Sequence, residues 1–479
     1  MYELYINGKL TEGQGEPIVV TNPATGKVIT TVKSASVEQA NEALQAAQSG
    51  FYAWSRTSLN DRIGWMLKLR KACQDHQDEI VQLMADEGGK TFVEAGNDFK
   101  AFLNYLVYYG EEAKHIYDTG IPEYGGHRDT FHTVLKRPVG VVVGHLAWNM
   151  PVSNLGLKMA PSMASGCTCV LKPSTETPLA SLYIGKLAAE IGLPAGAVNI
   201  VFGPAKIIGK ALSESKIPKL ISVIGSIAVG REVMNQGATS VKRFSMELGG
   251  NAPAIVMPDC DLDKVVKFIA NRKVRISGQG CANINRIFVH ESIHDEFVKK
   301  LVELVKQIPV CVGSPDHPET MGPMINVKTR DKMLAFVDNA VQGGAKLLYG
   351  GVVPEMEDEY KDGAWILPGI LDGVTDEMDM AKNEIFGPLY GVLTFQDLDE
   401  VLERSNNTDA GLTGYLFTHD SRVIGRCVED LEVGELQVNM PGAGPNMPHI
   451  GIKQSGLGCD RGQWSLEEYY DIRRISIQP

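Results

Sequence analysis

Two periods of apolar residues divide the chain. Near the N-terminus they fall at helical spacing. Ser36-Val37-Glu38-Gln39 reads as a capping box opening a helix towards Gly50. Ile63, Met66 and Leu67, then Ile80, Leu83 and Met84, keep the period and predict one helix over 61–87. From Val139 the pattern changes to continuous apolar runs at 140–143, 167–171, 198–202 and 220–224, which read as buried strands, with a helix over 178–191 that has Pro near its start. Apolar strands separated by helices imply a parallel sheet covered on both faces. A second set follows Gly250: strands over 254–257, 286–290, 390–395, 414–418 and 435–439, and helices over 261–271 and 293–308. The pattern therefore predicts two α/β domains meeting close to Glu247. Residues 119–136, rich in Gly, Thr and His, interrupt it and read as an arm whose match is the β-rich tail 469–477.

Composition narrows the class. The 479 residues are 44% hydrophobic and 22% charged, as expected of a globular protein with two or three domains. The net charge of -12 argues against a nucleic-acid partner, because neutralising phosphates needs a basic footprint. The longest apolar runs, such as 140–147, fall short of the roughly 20 residues of a membrane span, so no membrane association is expected. The first residues lack the basic start and apolar stretch of a signal peptide. Eight scattered cysteines need no disulfide framework at this size, which favours a reducing cytoplasm. No metal is expected: HExxH is absent, and Cys167 and Cys169 are wrongly spaced for a zinc knuckle.

The candidate chemistry begins with Cys281, in Ser277-Gly278-Gln279-Gly280-Cys281, and Glu247, in Met246-Glu247-Leu248-Gly249-Gly250-Asn251. A thiol can attack an electrophilic carbon, and a carboxylate can take a proton from the water that releases the product. A free thiol is only a few per cent ionised at neutral pH, so the site must supply more than sulfur. The glycines before Cys281 let the backbone approach closely, so its N–H can face an oxyanion. Read alone, Cys281 is better explained as a buried structural cysteine. Asn149, in Trp148-Asn149-Met150-Pro151, offers an amide to an oxyanion, or simply makes a turn. Lys172-Pro173-Ser174 ends the second strand, where open parallel sheets bind ligands, although a strand-end Lys can also be merely solvated. Gly225-Ser226 opens a helix whose N–H groups suit a phosphate, or Ser226 is a plain cap. GxGxxG and GxSxG are absent. Gly88-Gly89-Lys90-Thr91 imitates the end of a P-loop, but Met84 stands where its first glycine belongs, and the phosphate reading is rejected.

Taken in order, WNxP, KPS, the GSxxxG turn, ELGGN, GQxC and Glu384-Ile385-Phe386-Gly387-Pro388 resemble the motifs of the aldehyde dehydrogenase superfamily over essentially the whole chain. Tyr5-Ile6-Asn7-Gly8 and Lys453-Gln454-Ser455-Gly456-Leu457-Gly458 fit as well. The resemblance implies an α/β fold: a Rossmann-like cofactor domain (1–118 and 137–247), a second α/β catalytic domain (248–442) and a small β oligomerisation arm (119–136 and 465–479). It implies that Cys281 attacks an aldehyde, that Asn149 and the Cys281 N–H hold the oxyanion, and that Glu247 activates water against the resulting thioester. A glutamate in that role needs burial to bring it towards neutrality. The implied cofactor is NADP or NAD, held by Trp148, Lys172, Ser174, Thr175, Gly225, Ser226, Leu248, Glu384 and Phe386. Thr175 stands where members that prefer NAD often carry Glu, so NADP is expected to be accepted.

The partner so implied is a small-molecule aldehyde. Leu157 precedes Lys158 where members acting on carboxylated aldehydes often place Arg, which favours lactaldehyde or glycolaldehyde over the alternative, succinate semialdehyde. The family's arm implies a homodimer or homotetramer. Three departures from the family pattern, Ala147 before Trp148, His449-Ile450 for Phe-Gly and Cys459-Asp460 for Arg-Glu, are expected to leave the essential parts untouched, with Asp460 at the surface. A catalytically silent structural or binding protein on the same fold is the alternative of another class. Intact Cys281, Glu247, Asn149 and Glu384 argue against it.

Overall fold

The computed structural model describes residues 2–126, 129–313, 320–440, 442 and 444–478. The α/β fold is the expected one. The centre of an eight-stranded sheet holds five parallel strands in the spatial order Val198–Ile200, Thr168–Lys172, Val141–His145, Leu220–Ile224, Arg243–Glu247. The β-branched and apolar residues of these strands are buried on both faces, which is why they read as continuous runs. Leu4–Ile6 with Lys9–Thr11 closes one edge antiparallel, and Gly456–Leu457 closes the other. The chain winds outward from Val141–His145 in one direction and then resumes on its other side with Leu220–Ile224. That reversal leaves a crevice at the carboxyl ends of the two strands, where ligands of open sheets bind.

A seven-stranded sheet takes Lys346–Tyr349, Gly369–Asp372, Leu389–Phe395, Ile284–His290, Ala252–Val256, Thr413–Phe417 and Glu435–Val438 in spatial order, all parallel except for the first pair. The arm and tail do pair. Tyr470–Ile477 runs antiparallel to Phe131–Pro138, which in turn pairs with Thr119–Ile121. Residues 127 and 128 of the expected arm and 479 of the expected tail lie outside the described residues.

The capping box at Ser36 and Gln39 is present and opens Val37–Trp54. The single helix expected over 61–87 is instead two, Leu59–Asp75 and Gln77–Gly88, broken at His76. His76 leaves helical geometry at φ -116, ψ 28, and its Nδ1 meets the Tyr183 hydroxyl at 3.1 Å, so a tertiary contact accompanies a break that no Gly or Pro marks. The P-loop look-alike is a helix junction. Gly89 is left-handed and ends one helix, and Thr91 with Glu94 forms a capping box that starts the next. Among the described residues, no helix is long and apolar enough to cross a membrane.

Candidate active site

Cys281 sits on a loop that joins Leu262–Val274 to Ile284–His290. Ile276 and Ser277 are left-handed at φ 50 and 52, conformations that cost free energy in non-glycine residues, and Gly278 follows at φ 77. Neighbouring contacts hold the strain. The Ile276 N–H donates to Glu94 Oε1, and Ser277 Oγ donates to the Gly322 carbonyl at 2.7 Å. Gln279 Nε2 donates to the Ile276 carbonyl at 3.0 Å, while its Oε1 accepts from the Ile325 N–H at 2.9 Å. Gly278 is required twice over, since a Cβ there would lie 2.2 Å from the Gly387 carbonyl carbon. The loop thereby fixes where the sulfur stands.

Glu247 ends the last parallel strand of the first sheet and is 5% exposed, while Cys281 is partly exposed. Between them stands His449. Its Nε2 lies 3.6 Å from Cys281 Sγ and 3.1 Å from Glu247 Oε1, and its Nδ1 is hydrogen-bonded to Glu435 Oε1. Sulfur, carboxylate and imidazole thus converge within 4.8 Å of one another. Burial, then the Glu247 charge, pushes the Cys281 thiol up to about 11, with His449 opposing them. Asn149 Nδ2 donates to the Gln279 carbonyl at 3.1 Å, and Asn154 Nδ2 reaches Asn149 Oδ1 at 3.4 Å. An amide nitrogen has two hydrogens, so Asn149 keeps one for another acceptor.

Cys281, Glu247 and Asn149 all open onto a cleft of 990 Å³ at the carboxyl ends of the first sheet. The motif residues Trp148, Lys172, Ser174, Thr175, Gly225, Ser226, Glu384 and Phe386 line the same cleft. Leu248 turns elsewhere: its side chain packs so closely under Gly230 that a Cβ there would meet Leu248 Cδ1 at 2.6 Å. Ser226 caps Ile227–Gly237, accepting from the Val229 N–H at 3.3 Å, so the plain-cap reading holds while the helix start still faces the cleft. Burial lowers Lys172 to about 8. Glu384 accepts from the Gly250 N–H at 3.1 Å, and burial raises its carboxyl to about 7 against that bond. A Cβ on Gly249 would come within 2.4 Å of Glu384 Oε2, so only glycine admits the carboxylate. Trp148 and Phe386 meet edge to face at 5.5 Å. This cleft has room for a dinucleotide, with cations Lys172, Lys206 and Lys210 and the side chains of Trp148, Glu384, Phe386 and Cys281 in one lining.

Sequence reasoning missed four residues in or beside the site. His449 and Glu435 are in it, and His449 is one of the departures expected to touch nothing essential. Asp460 is no surface residue: it is 4% exposed and forms a buried ion pair with Lys158, which is fully buried. A side-chain ammonium-to-carboxylate pairing of this kind has no local pattern, since 158 and 460 lie far apart in the chain. Asn154 lies one helical turn beyond Met150 in Pro151–Ser165, a helix that the sequence reading does not include.

Comparisons with known proteins agree with this geometry. The aldehyde dehydrogenase family profile matches residues 10–475. A glutarate-semialdehyde dehydrogenase of Pseudomonas putida is 36% identical, covering 99% of this chain and 97% of the relative. An NADP-dependent succinate-semialdehyde dehydrogenase of Escherichia coli is 34% identical over 98% and 97% of the two chains. The crystal structure of lactaldehyde dehydrogenase from Escherichia coli superposes with a TM-score of 0.96 at 31% identity, covering 100% of this chain and 99% of that one. The chain belongs to the aldehyde dehydrogenase family.

Proposed function

We propose that this enzyme oxidises a small hydroxyaldehyde, of the lactaldehyde or glycolaldehyde kind, to its carboxylic acid. The observation that carries the reaction is the placement of Cys281 and Glu247 together in the dinucleotide cleft. The Cys281 thiolate adds to the carbonyl carbon, and the C=O electron pair moves to oxygen. The second Asn149 N–H and the Cys281 N–H receive that oxyanion. Lys172, Ser174, Thr175, Glu384 and Phe386 would hold NADP or NAD in the cleft, where it would supply the hydride acceptor that lets the Cys281 adduct become a thioester. Glu247 then takes a proton from water, which attacks the thioester and frees the acid and the sulfur.

For the cofactor, NADP is the preferred form in this reading. Thr175 places no carboxylate at the ribose, and Glu176 accepts a bond from Asn326 Nδ2 at 3.3 Å rather than lining the cleft, where Lys172, Lys206 and Lys210 stand. For the aldehyde, Glu435 stands one imidazole away from the sulfur. Its carboxylate can accept from a substrate hydroxyl and repels a substrate carboxylate. A second reading, an aldehyde carrying a carboxylate such as succinate semialdehyde, draws on a 440 Å³ recess lined by Lys264, Lys267, Arg272 and Arg275. Arg272 donates there to the carbonyl of Ala282, the neighbour of Cys281, at 3.0 Å. Two of the similar proteins act on semialdehydes, which supports the same alternative. Reduced-nicotinamide absorbance with lactaldehyde, glycolaldehyde and succinate semialdehyde separates the two. Higher kcat/KM for the hydroxyaldehydes is expected, and a tenfold preference for the semialdehyde would overturn the first reading. We also infer a homodimer or homotetramer built on the arm, whose strands expose Ile121, Phe131 and Ile472. Sedimentation should show two or four subunits, and a monomer would refute it.

A further inference from the structure

We propose that His449 is a catalytic residue: an imidazolium, held by Glu435, that stabilises the Cys281 thiolate and steadies Glu247. The proposal rests on Cys281 being the nucleophile. The geometry dictates the charge of the ring. Each nitrogen faces a carboxylate, Nε2 meeting Glu247 at 3.1 Å and Nδ1 meeting Glu435. Carboxylates only accept, so both nitrogens must donate, and an imidazole that donates twice is an imidazolium. Burial alone would lower His449, but its hydrogen bonds to Cys281, Glu247 and Glu435 outweigh that and hold it well above its ordinary value. In return, burial would raise Glu435, and the His449 hydrogen bond brings it below its usual range.

The sulfur needs such a cation. At 3.6 Å from Nε2 it lies within hydrogen-bond reach of the ring. Burial and the Glu247 carboxylate both disfavour a second negative charge there, and the ring is the group in contact with the sulfur that opposes them. The other charges packed around the ring do not replace it. Asp460, whose backbone pairs with that of His449, is engaged by the Lys158 ammonium. The half-buried Arg461 guanidinium feels both Glu435 and Cys281 and adds positive charge without a hydrogen bond to the sulfur. Towards the sulfur, Glu435 acts only through the ring and is a positioning residue. When the thiol ionises its proton leaves through the cleft to solvent, and His449 keeps its own. The common family residue at this position, Phe, could supply neither the charge nor the bond.

The test is the pH profile of Cys281 alkylation by iodoacetamide, read by mass spectrometry in the intact wild type, His449→Phe and His449→Gln. NADP binding and sedimentation of each variant report that it is folded. Both substitutions should move the alkylation midpoint up by about one unit or more, cutting the rate at neutral pH about tenfold while alkaline reactivity survives. Thiolate absorbance near 240 nm should fall in parallel. A midpoint within a few tenths of the wild-type value in a folded variant overturns the proposal, even if turnover is lost. Should Cys281 prove not to be the nucleophile, Cys281→Ser would keep turnover, a result that the alkylation profile does not depend on.

Discussion

Replacing Glu247 by Gln should separate the two halves of the reaction. The side chain is 5% exposed and its Oε1 accepts from His449 Nε2 at 3.1 Å. Glutamine keeps the volume and one oxygen acceptor but cannot take a proton at neutral pH. Losing a general base costs about 10²–10⁴-fold, roughly 3–5 kcal/mol of barrier. The loss should fall on thioester hydrolysis alone, because attack by sulfur and hydride loss need no base at that position. The carboxylate also raises the Cys281 thiol, second only to burial, so the variant's thiol should ionise at lower pH and its first turnover should not slow. Rapid mixing with NADP and aldehyde should therefore show about one equivalent of reduced cofactor per site, then a steady rate slowed by about 10²–10⁴-fold. A first turnover slowed as much as the steady state, with no burst, would refute the assignment of Glu247 to hydrolysis.

Thr175→Glu would bring a carboxylate towards a 2′-phosphate; at about 5 Å and an effective dielectric of about 20 the repulsion is roughly 3 kcal/mol, so kcat/KM with NADP should fall about 100-fold while NAD is spared. Equal loss with both cofactors would contradict the ribose assignment. Asp460→Asn should destabilise the fold by about 3–5 kcal/mol, since it strands the Lys158 ammonium in a buried site, and urea unfolding measures it. The double variant Asp460→Leu, Lys158→Met should recover most of that loss, and if it does not, the cost has another source. His145, buried against Ser213 Oγ at 3.0 Å, is lowered to about 3 by burial and then by Lys172. A depressed base binds fewer protons when folded, so the stability it contributes is present above its unfolded value of 6.5 and is lost as pH falls from there towards 3. His145→Gln should flatten the acid limb of a urea midpoint plotted against pH, and an unchanged limb would show that other groups dominate it.

The parts legible in the sequence were those encoded over short spans. The buried strand runs, the Ser36 capping box and the ends of the parallel strands follow from local periodicity, and the structure keeps them. Trp148, Lys172, Ser174, Thr175, Gly225, Ser226, Glu384 and Phe386 were placed by motif, and all line one cleft. The break at His76 was not legible, because what accompanies it is Tyr183, more than a hundred positions away. Asp460 was misread for the same reason: two charges in sequence look solvated until a distant Lys158 is folded against one of them. His449 is the most instructive case. Its departure from the common Phe was visible, but its meaning depends on Glu247, Glu435 and Cys281 converging from three separate segments.

In the proposed mechanism the sulfur of Cys281 carries the acyl group. The most direct test is to mix Glu247→Gln with aldehyde and NADP, quench in acid and weigh the peptide containing Cys281. This peptide alone should gain the mass of the aldehyde less two hydrogens, and Cys281→Ser on the same background should gain nothing. An acyl group on another residue, or an unmodified Cys281 peptide while reduced cofactor accumulates, would contradict it.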